Sequence, residues 1–279
     1  DVNILEIVVD NSGAFYVSGS FSLSADFDPS SNNAFRTAEG GYDLFVAKYD
    51  LNGNFLWVNA MGSAGGTSNT ESANALAIDK TQNVCVIGRF NATVDFDPSG
   101  ATNNLTSIGT NDVFLAKYDV NGNYLWANSF DASQGNAVAV DTANNICISG
   151  AHGGTVDFDP GAGVANLTAG NGIDIYLAKY DSNGNYMWAK GLECREGTDL
   201  AIDDLNNIYL LGHNRTDSDV DPSAGTVIVT CPFGQDVILA KYNENGGYLW
   251  VKKVTSSGVN SDNAYSKSIT LDESNNVYV

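Results

Sequence analysis

The sequence repeats itself four and a half times, and that constrains its fold more than any other feature. Asp-Phe-Asp-Pro begins at Asp26, Asp95 and Asp157 and returns as Asp-Val-Asp-Pro at Asp219. Ala-Lys-Tyr-Asp begins at Ala47, Ala116 and Ala178 and returns as Ala-Lys-Tyr-Asn at Ala240. Both motifs advance by 69, 62 and 62 residues. A fixed period of this size marks a stacked or circular repeat, in which each copy buries its apolar surface against a neighbour. The copies run approximately over residues 4–73, 74–135, 136–197 and 198–266, with a partial copy at 267–279.

Within one copy the elements are short. Asn74–Asp79, Val84–Gly88, Asp112–Asp119 and Tyr124–Asn128 are apolar runs of four to eight residues, rich in β-branched and aromatic types. Turn residues bound each run, including Asn-Gly at Asn52, Asn121, Asn183 and Asn245. Runs of this length and composition read as strands, and Asn-Gly between two of them reads as a hairpin. No stretch holds a 3.6-residue period, so little helix is expected. Four antiparallel strands per period predict an all-β fold, a β-propeller of four-stranded blades with 62–69 residues each. Residues 1–279 are read as one propeller domain or segment. Four and a half copies do not close a ring, which points to part of a larger one. The added residues of the longer copies, Gly62–Ser72 and Ser256–Ser266, are rich in Gly, Ser and Asn and are expected to be exposed loops. One tryptophan per copy, at Trp57, Trp126, Trp188 and Trp250, suggests an aromatic anchor packing blade on blade.

Composition narrows the partners. Thirty-three acidic against 13 basic side chains give a formal net charge of -20. Such a field repels nucleic acid. It suits a solvated extracellular surface, a divalent cation or a cationic partner. No apolar run is long enough to span a membrane, so no membrane insertion of this segment is expected, and no signal peptide stands within these residues. Cys85 and Cys147 recur at one position and read as small core residues. Cys194 and Cys231 fall at irregular points and could form one bridge in an oxidising compartment.

The repeated polar residues carry the candidate chemistry. The paired aspartates Asp26 and Asp28, Asp95 and Asp97, Asp157 and Asp159, and Asp219 and Asp221 could supply carboxylates to Ca2+, which takes six to eight oxygens. They equally suit turns in which the side chain accepts backbone N–H groups. Lys48, Lys117, Lys179 and Lys241 stand inside otherwise apolar strands and must either extend their charge to solvent or find a carboxylate. The paired aspartates, or Asp43, Asp112, Asp174 and Asp236 at the strand starts, are the expected partners. No cofactor other than Ca2+ is indicated. Carboxylate pairs that recur in every copy argue against a glycosidase, whose catalytic pair occurs once. No nucleophile elbow or phosphate loop is present, so no enzyme is expected.

Asp-x-Phe-x-Ala-Lys-Tyr-Asp-x-x-Gly-Asn-x-x-Trp, followed by Asp-x-x-x-Asn-x-x-x-x-Gly, resembles the bacterial SBBP-type β-propeller repeat. Here the pattern runs from Asp112 to Trp126 and from Asp141 to Gly150. The added Asp-Phe-Asp-Pro is similar to a variant found in secreted, multi-domain proteins of Bacteroidetes-like bacteria. The resemblance covers nearly the whole chain. It implies an extracellular or outer-surface location and assigns no activity. The expected role is a non-catalytic scaffold or binding module that presents blade loops to a protein or glycan at the cell surface. A polysaccharide-active enzyme with its cleft on one propeller face, and a purely structural spacer, are the alternatives.

Overall fold

A computed structural model describes residues 1–64, 71–231, 235–255 and 264–279, with the backbone alone at Asn171. The chain divides into two compact units, Asp1–Gly135 and Asn136–Val279, and the division falls between the second and third copies.

The first unit holds two sheets. β1 (Val2–Val9), β2 (Phe15–Asp26), β3 (Phe35–Tyr49) and β4 (Phe55–Met61) form an antiparallel sheet in sequential order. The second sheet consists of β5 (Ser72–Ile78), β6 (Val84–Phe90), β9 (Asp112–Tyr118) and β10 (Tyr124–Phe130), again in sequential order. Between β6 and β9 the chain makes a small ribbon of β7 (Thr93–Asp95) and β8 (Asn104–Thr106). β5 packs on β1, β2 and β3, so one sheet lies against the next.

The second unit repeats this plan. β11 (Gln134–Val140), which enters from the last two residues of the first unit, joins β12 (Ile146–Asp157), β13 (Asn166–Tyr180) and β14 (Tyr186–Leu192). β15 (Glu196–Ile202), β16 (Ile208–Asn214), β19 (Asp236–Tyr242) and β20 (Tyr248–Val254) form the fourth sheet. β17 (Ser218–Asp219) and β18 (Ile228–Val229) make its side ribbon, and β21 (Thr270–Leu271) and β22 (Val277–Tyr278) form a final hairpin. Sequentially ordered four-stranded antiparallel sheets, one per copy, are β-propeller blades. The strand positions read from the sequence hold, each within about two residues.

Turn chemistry fixes the hairpins. Asn-Gly does not form a two-residue turn here. In the Asp50–Asn54 loop only Gly53 has a positive φ, and its N–H donates to the Asp50 carbonyl at 3.0 Å. This is a three-residue loop with glycine in the left-handed position. A second glycine answers a different need. A Cβ on Gly88 would stand 1.9 Å from the Ser72 carbonyl oxygen, and one on Gly19 1.9 Å from that of Asn3. Both sit beside register shifts in the partner strand, where the bulge brings backbone onto backbone.

The middle strands are buried on both faces, as β9 is along its whole length. The aromatic residue of Asp-Phe-Asp-Pro turns into this interior. Phe96 lies 5.5 Å from Phe90 and 4.9 Å from Phe114, centroid to centroid. Phe27, Phe21 and Phe45 repeat the arrangement in the first blade. The third blade substitutes His152 for the first phenylalanine, beside Phe158 and Tyr176. The fourth places Asn214 there and satisfies it. Its amide oxygen accepts Ser218 Oγ at 2.7 Å and its amide nitrogen donates to the Val229 carbonyl.

The described edges of the two insertions depart from expectation in part: Ala64 and Tyr265 are exposed as expected, and four other residues are not. Residues 65–70 and 256–263 lie outside the described residues. Ser63, Glu71 and Ser72 on the first insertion, and Ser266 on the second, are buried rather than exposed. Glu71 accepts the Ser63 hydroxyl at 2.7 Å, and Ser72 already belongs to β5.

His152 is 1% exposed, and neither ring nitrogen has a hydrogen-bond partner. Burial holds its pKa below the ordinary 6.5, with Asp174 pulling weakly the other way. Its contribution to stability is therefore complete above pH 6.5 and is lost as pH falls toward the folded-state value. His152→Phe restores the ring found in the first two blades. We expect it to stabilise the protein by about 1–2 kcal/mol near neutrality, the cost of an unpaired buried polar group. The gain should widen on acidification, and chemical denaturation of both proteins at pH 7.5 and 5.5 checks both points.

Candidate functional site

Each blade contains a lysine on its third strand, buried in three blades and half-buried at Lys241, and each finds an aspartate. Lys48 Nζ lies 3.3 Å from Asp10, Lys117 2.8 Å from Asp79, Lys179 2.8 Å from Asp141 and Lys241 3.0 Å from Asp203. The expected partners were the paired aspartates or the strand-start aspartates, and both assignments are corrected. The true partner ends the first strand of the same blade and organises the hairpin that follows. Asp79 Oδ1 accepts the N–H groups of Thr81 and Asn83 and the Thr81 hydroxyl, at 2.7–2.9 Å. Its Oδ2 accepts Asn83 Nδ2 and the lysine. Burial pushes this carboxyl up, but the bonds from Lys117, Thr81 and Asn83 together outweigh it, and the net pKa falls below 3.8.

Two blades place tyrosine beside the pair. Lys48 Nζ donates to Tyr16 Oη at 2.7 Å, and Lys241 does the same to Tyr209. Cys85 and Cys147 stand at this position in the other two, as small core residues whose thiol pKa burial pushes up to about 12. Lys48 and Trp57 Nε1 both donate to the Val120 carbonyl, and the Trp57 ring covers Gly122 in that same turn of the next blade. Trp188 covers Gly246 in the same way within the second unit. The tryptophans are blade-to-blade anchors where these contacts are described.

The aspartates expected at strand starts serve otherwise: Asp43 and Asp174 lie inside the long β3 and β13, Asp112 opens β9, and these three hold backbone N–H groups four residues earlier. Asp43 accepts the Glu39 N–H, Asp112 that of Ile108 and Asp174 that of Gly170, while Asp236 pairs with Lys253.

The paired aspartates make nested turns. Asp26 Oδ1 accepts Asp28 N at 3.1 Å and Ala34 N at 2.8 Å. Asp95 accepts from Asp97 and Asn103, Asp157 from Asp159 and Ala165, and Asp219 from Asp221 and Val227. The second aspartate of each pair accepts the N–H two residues on, in Asp28, Asp97, Asp159 and Asp221 alike. The intervening carbonyl takes a tyrosine hydroxyl at 2.8–3.0 Å, from Tyr49, Tyr118, Tyr180 and Tyr242. Among the described residues no group of three or more His, Cys, Asp or Glu converges on a point. A cation at these loops would draw on two carboxylates and backbone carbonyls.

Cys194 and Cys231, which could have formed a bridge, are both buried free thiols in this structure. Cys231 Sγ donates to the Asn214 carbonyl at 3.2 Å.

The second unit contains a polar cavity of ≈ 430 Å³ between β15–β16 and the segment after residue 263. His213 Nε2 accepts the Ser266 N–H at 2.8 Å. That N–H can only donate, so the ring is neutral with its proton on Nδ1. Burial depresses the His213 pKa, Glu196 opposes this, and Lys267 and Arg215 add to it. Ser266 Oγ is 3.1 Å from the same nitrogen, whose lone pair is already taken, so the pair is a latch rather than a nucleophile and base. The sequence reading passed over Arg195, Arg215 and Lys267 around this cavity. Their signal was departure from the repeat. In register, Arg195 replaces Glu71 and Ser133, Arg215 replaces Asn91 and Gly153, and Lys267 replaces Asn74 and Asn136.

No family model matches the chain. It is 28% identical, over 61% of its length, to the uncharacterized WD repeat-containing protein L264 of Acanthamoeba polyphaga mimivirus. Over 75% of its length it is 25% identical to the regulatory protein FlaEY of Caulobacter vibrioides. The chain spans only 14% and 23% of these relatives. Among solved structures it is similar to a protein of unknown function from Bacteroides caccae, with TM-score 0.40 and 8% identity over 82% of this chain and 76% of that one. It is also similar to the Dos1 propeller, with TM-score 0.37 and 9% identity over 97% and 88%. Likenesses at this level carry no weight for function, and the fold rests on the repeat and the sheets themselves.

Removing one member of a buried ion pair leaves the other charge unpaired. Lys117→Met is expected to destabilise the protein by about 3–5 kcal/mol, measured by urea denaturation. Lys241→Met should cost less, because that side chain is 16% exposed and water can replace it at Asp203.

Proposed function

We propose that this chain is a non-catalytic binding module of a secreted or surface-attached bacterial protein, built from SBBP-type repeats and presenting its non-repeated loops to a glycan or protein partner. One observation carries the reading. The residues that recur in every copy are spent on folding: lysine on the hairpin aspartate, the paired aspartates on nested turns, and tryptophan, at Trp57 and Trp188, on the next turn. Three basic residues that break the repeat, Arg195, Arg215 and Lys267, gather instead around one solvent-open polar cavity. The bacterial and extracellular setting is supported by the repeat resemblance and by the net charge of -20.

The test is retention without turnover. Immobilised bacterial surface polysaccharides and surface proteins are incubated with the purified chain, and both bound protein and released products are measured. Retention with no released product supports a binding module. Release of sugars in proportion to protein added would turn the reading to a polysaccharide-active enzyme, and failure to be retained on any surface would turn it to a structural spacer.

We further propose Ca2+ as an occupant of the Asp-x-Asp-Pro loops, where the second oxygen of each leading aspartate could join backbone carbonyls around a cation. A ligand that binds only the folded state raises the melting temperature. EDTA is therefore expected to lower the melting temperature and added Ca2+ to restore it. Coincident curves would leave these aspartates as turn residues alone.

A further inference from the structure

We propose that the cavity beside His213 binds the carboxylate of a uronate-bearing oligosaccharide. The inference rests on the reading of the protein as a binding module and names the ligand class.

Charge is the first argument. The whole chain carries 33 acidic and 13 basic side chains. Around this cavity the ratio inverts, with Arg195, Arg215 and Lys267 against the single acid Glu196. Glu196 is itself engaged by Asn136 Nδ2 at 3.3 Å. None of the three basic side chains takes part in an ion pair among the described residues. Arg195 and Arg215 also border an adjoining cavity with Asp174, Glu193 and Asp217, yet neither arginine closes an ion pair with these acids among the described residues.

The second argument is preparation. Gln235, 3% exposed, accepts Arg215 Nε at 2.7 Å. Gln235 is in turn fixed to the segment across the cavity: its backbone carbonyl accepts the Ala264 N–H at 2.8 Å, and its amide donates to the Ala264 carbonyl. Holding a guanidinium at Nε leaves both terminal nitrogens for a ligand. Two parallel N–H groups match the two oxygens of a carboxylate, a fit that an ammonium cannot reproduce. The Ser266 latch on His213 sets the same wall.

The third argument selects a sugar. Tyr265 stands at the mouth with 65% of its surface exposed, its ring edge-on to His213 at 5.7 Å. An exposed aromatic face beside a carboxylate fork suits a pyranose ring bearing a carboxyl group, since the sugar's apolar face can lie on the ring. The remaining wall is hydroxyl and amide rather than aliphatic, with Thr198 and Ser266 3.1 Å apart.

Isothermal titration of the full chain with hexagalacturonate, maltohexaose and hexaglutamate tests the assignment. Binding of hexagalacturonate is expected, weakening as salt is raised, with none of neutral maltohexaose. The Arg195→Ala/Arg215→Ala double variant should lose at least tenfold in affinity, and Arg215→Lys several-fold, because lysine keeps the charge and loses the fork. Both arginines are exposed, so unchanged melting temperatures are expected to accompany the loss. No binding of hexagalacturonate, or equal binding by the double variant, would overturn the proposal. Equal affinity for hexaglutamate would overturn the sugar assignment in favour of an acidic peptide, while the binding-module reading stands. Shortening of hexagalacturonate, seen by mass spectrometry and lost in the double variant, would uphold the site and overturn the non-catalytic reading instead.

Discussion

The buried lysine–aspartate pair is the interaction on which the blade depends. A charge inside an apolar strand is tolerated only if its partner is fixed and the remaining hydrogen-bonding capacity is used. Asp79 meets both conditions, because the carboxylate that neutralises Lys117 also terminates the first hairpin through the N–H groups of Thr81 and Asn83. A local turn and a contact between the first and third strands are thereby one structure. A slip of register in β6 or β9 would separate the charges and unmake the turn together. The pair therefore selects one register, whatever its net contribution to stability.

Around that pair the blade solves the same problem repeatedly with short polar side chains. The long connection between the second and third strands must cross the blade edge without leaving backbone groups unpaired. Asp95 closes it by binding N–H groups two and eight residues ahead. The loop so formed points Phe96 inward against Phe90 and Phe114, while Tyr118 reaches the Phe96 carbonyl. Aspartate, phenylalanine and tyrosine recur together because each step requires the others. His152 is the exception that exposes the rule: it keeps the ring stack but brings two nitrogens that the stack cannot pair.

Much of this was legible in the sequence. Period, strand lengths and the Asn-Gly loops sufficed for propeller blades, and the recurring tryptophan for the blade-to-blade anchors at Trp57 and Trp188. The lysine partners were misread because proximity along the chain favoured the paired aspartates and those opening the same strand. Yet Lys241 and Asp203 are separated by 38 residues, and Lys48 with Asp10, Lys117 with Asp79 and Lys179 with Asp141 keep the same spacing. Two residue types in constant phase were a sufficient signal for contact, because the whole path from the first hairpin to the third strand keeps its length even though the strands along it are long in the first and third blades and short in the second and fourth. The left-handed residue of the Asn-Gly loops was harder to place, since the same dipeptide serves two loop geometries and only the flanking Asp50–Asn54 bonds decide between them.

The candidate site was hidden for the opposite reason. Repetition draws attention to what recurs, and what recurs here is structural. Arg195, Arg215 and Lys267 lie far apart in sequence and belong to no motif. They come together because residues just before the first strand, at the end of the second, and before the first strand of the following copy meet at one edge of adjacent blades. In a repeat fold such positions are equivalent from blade to blade, and a substitution there leaves the hairpin aspartate, the lysine and the tryptophan untouched. Chemistry can be introduced at that edge without cost to the register, so a departure from the repeat at three meeting positions is better evidence of use than any motif shared by all copies.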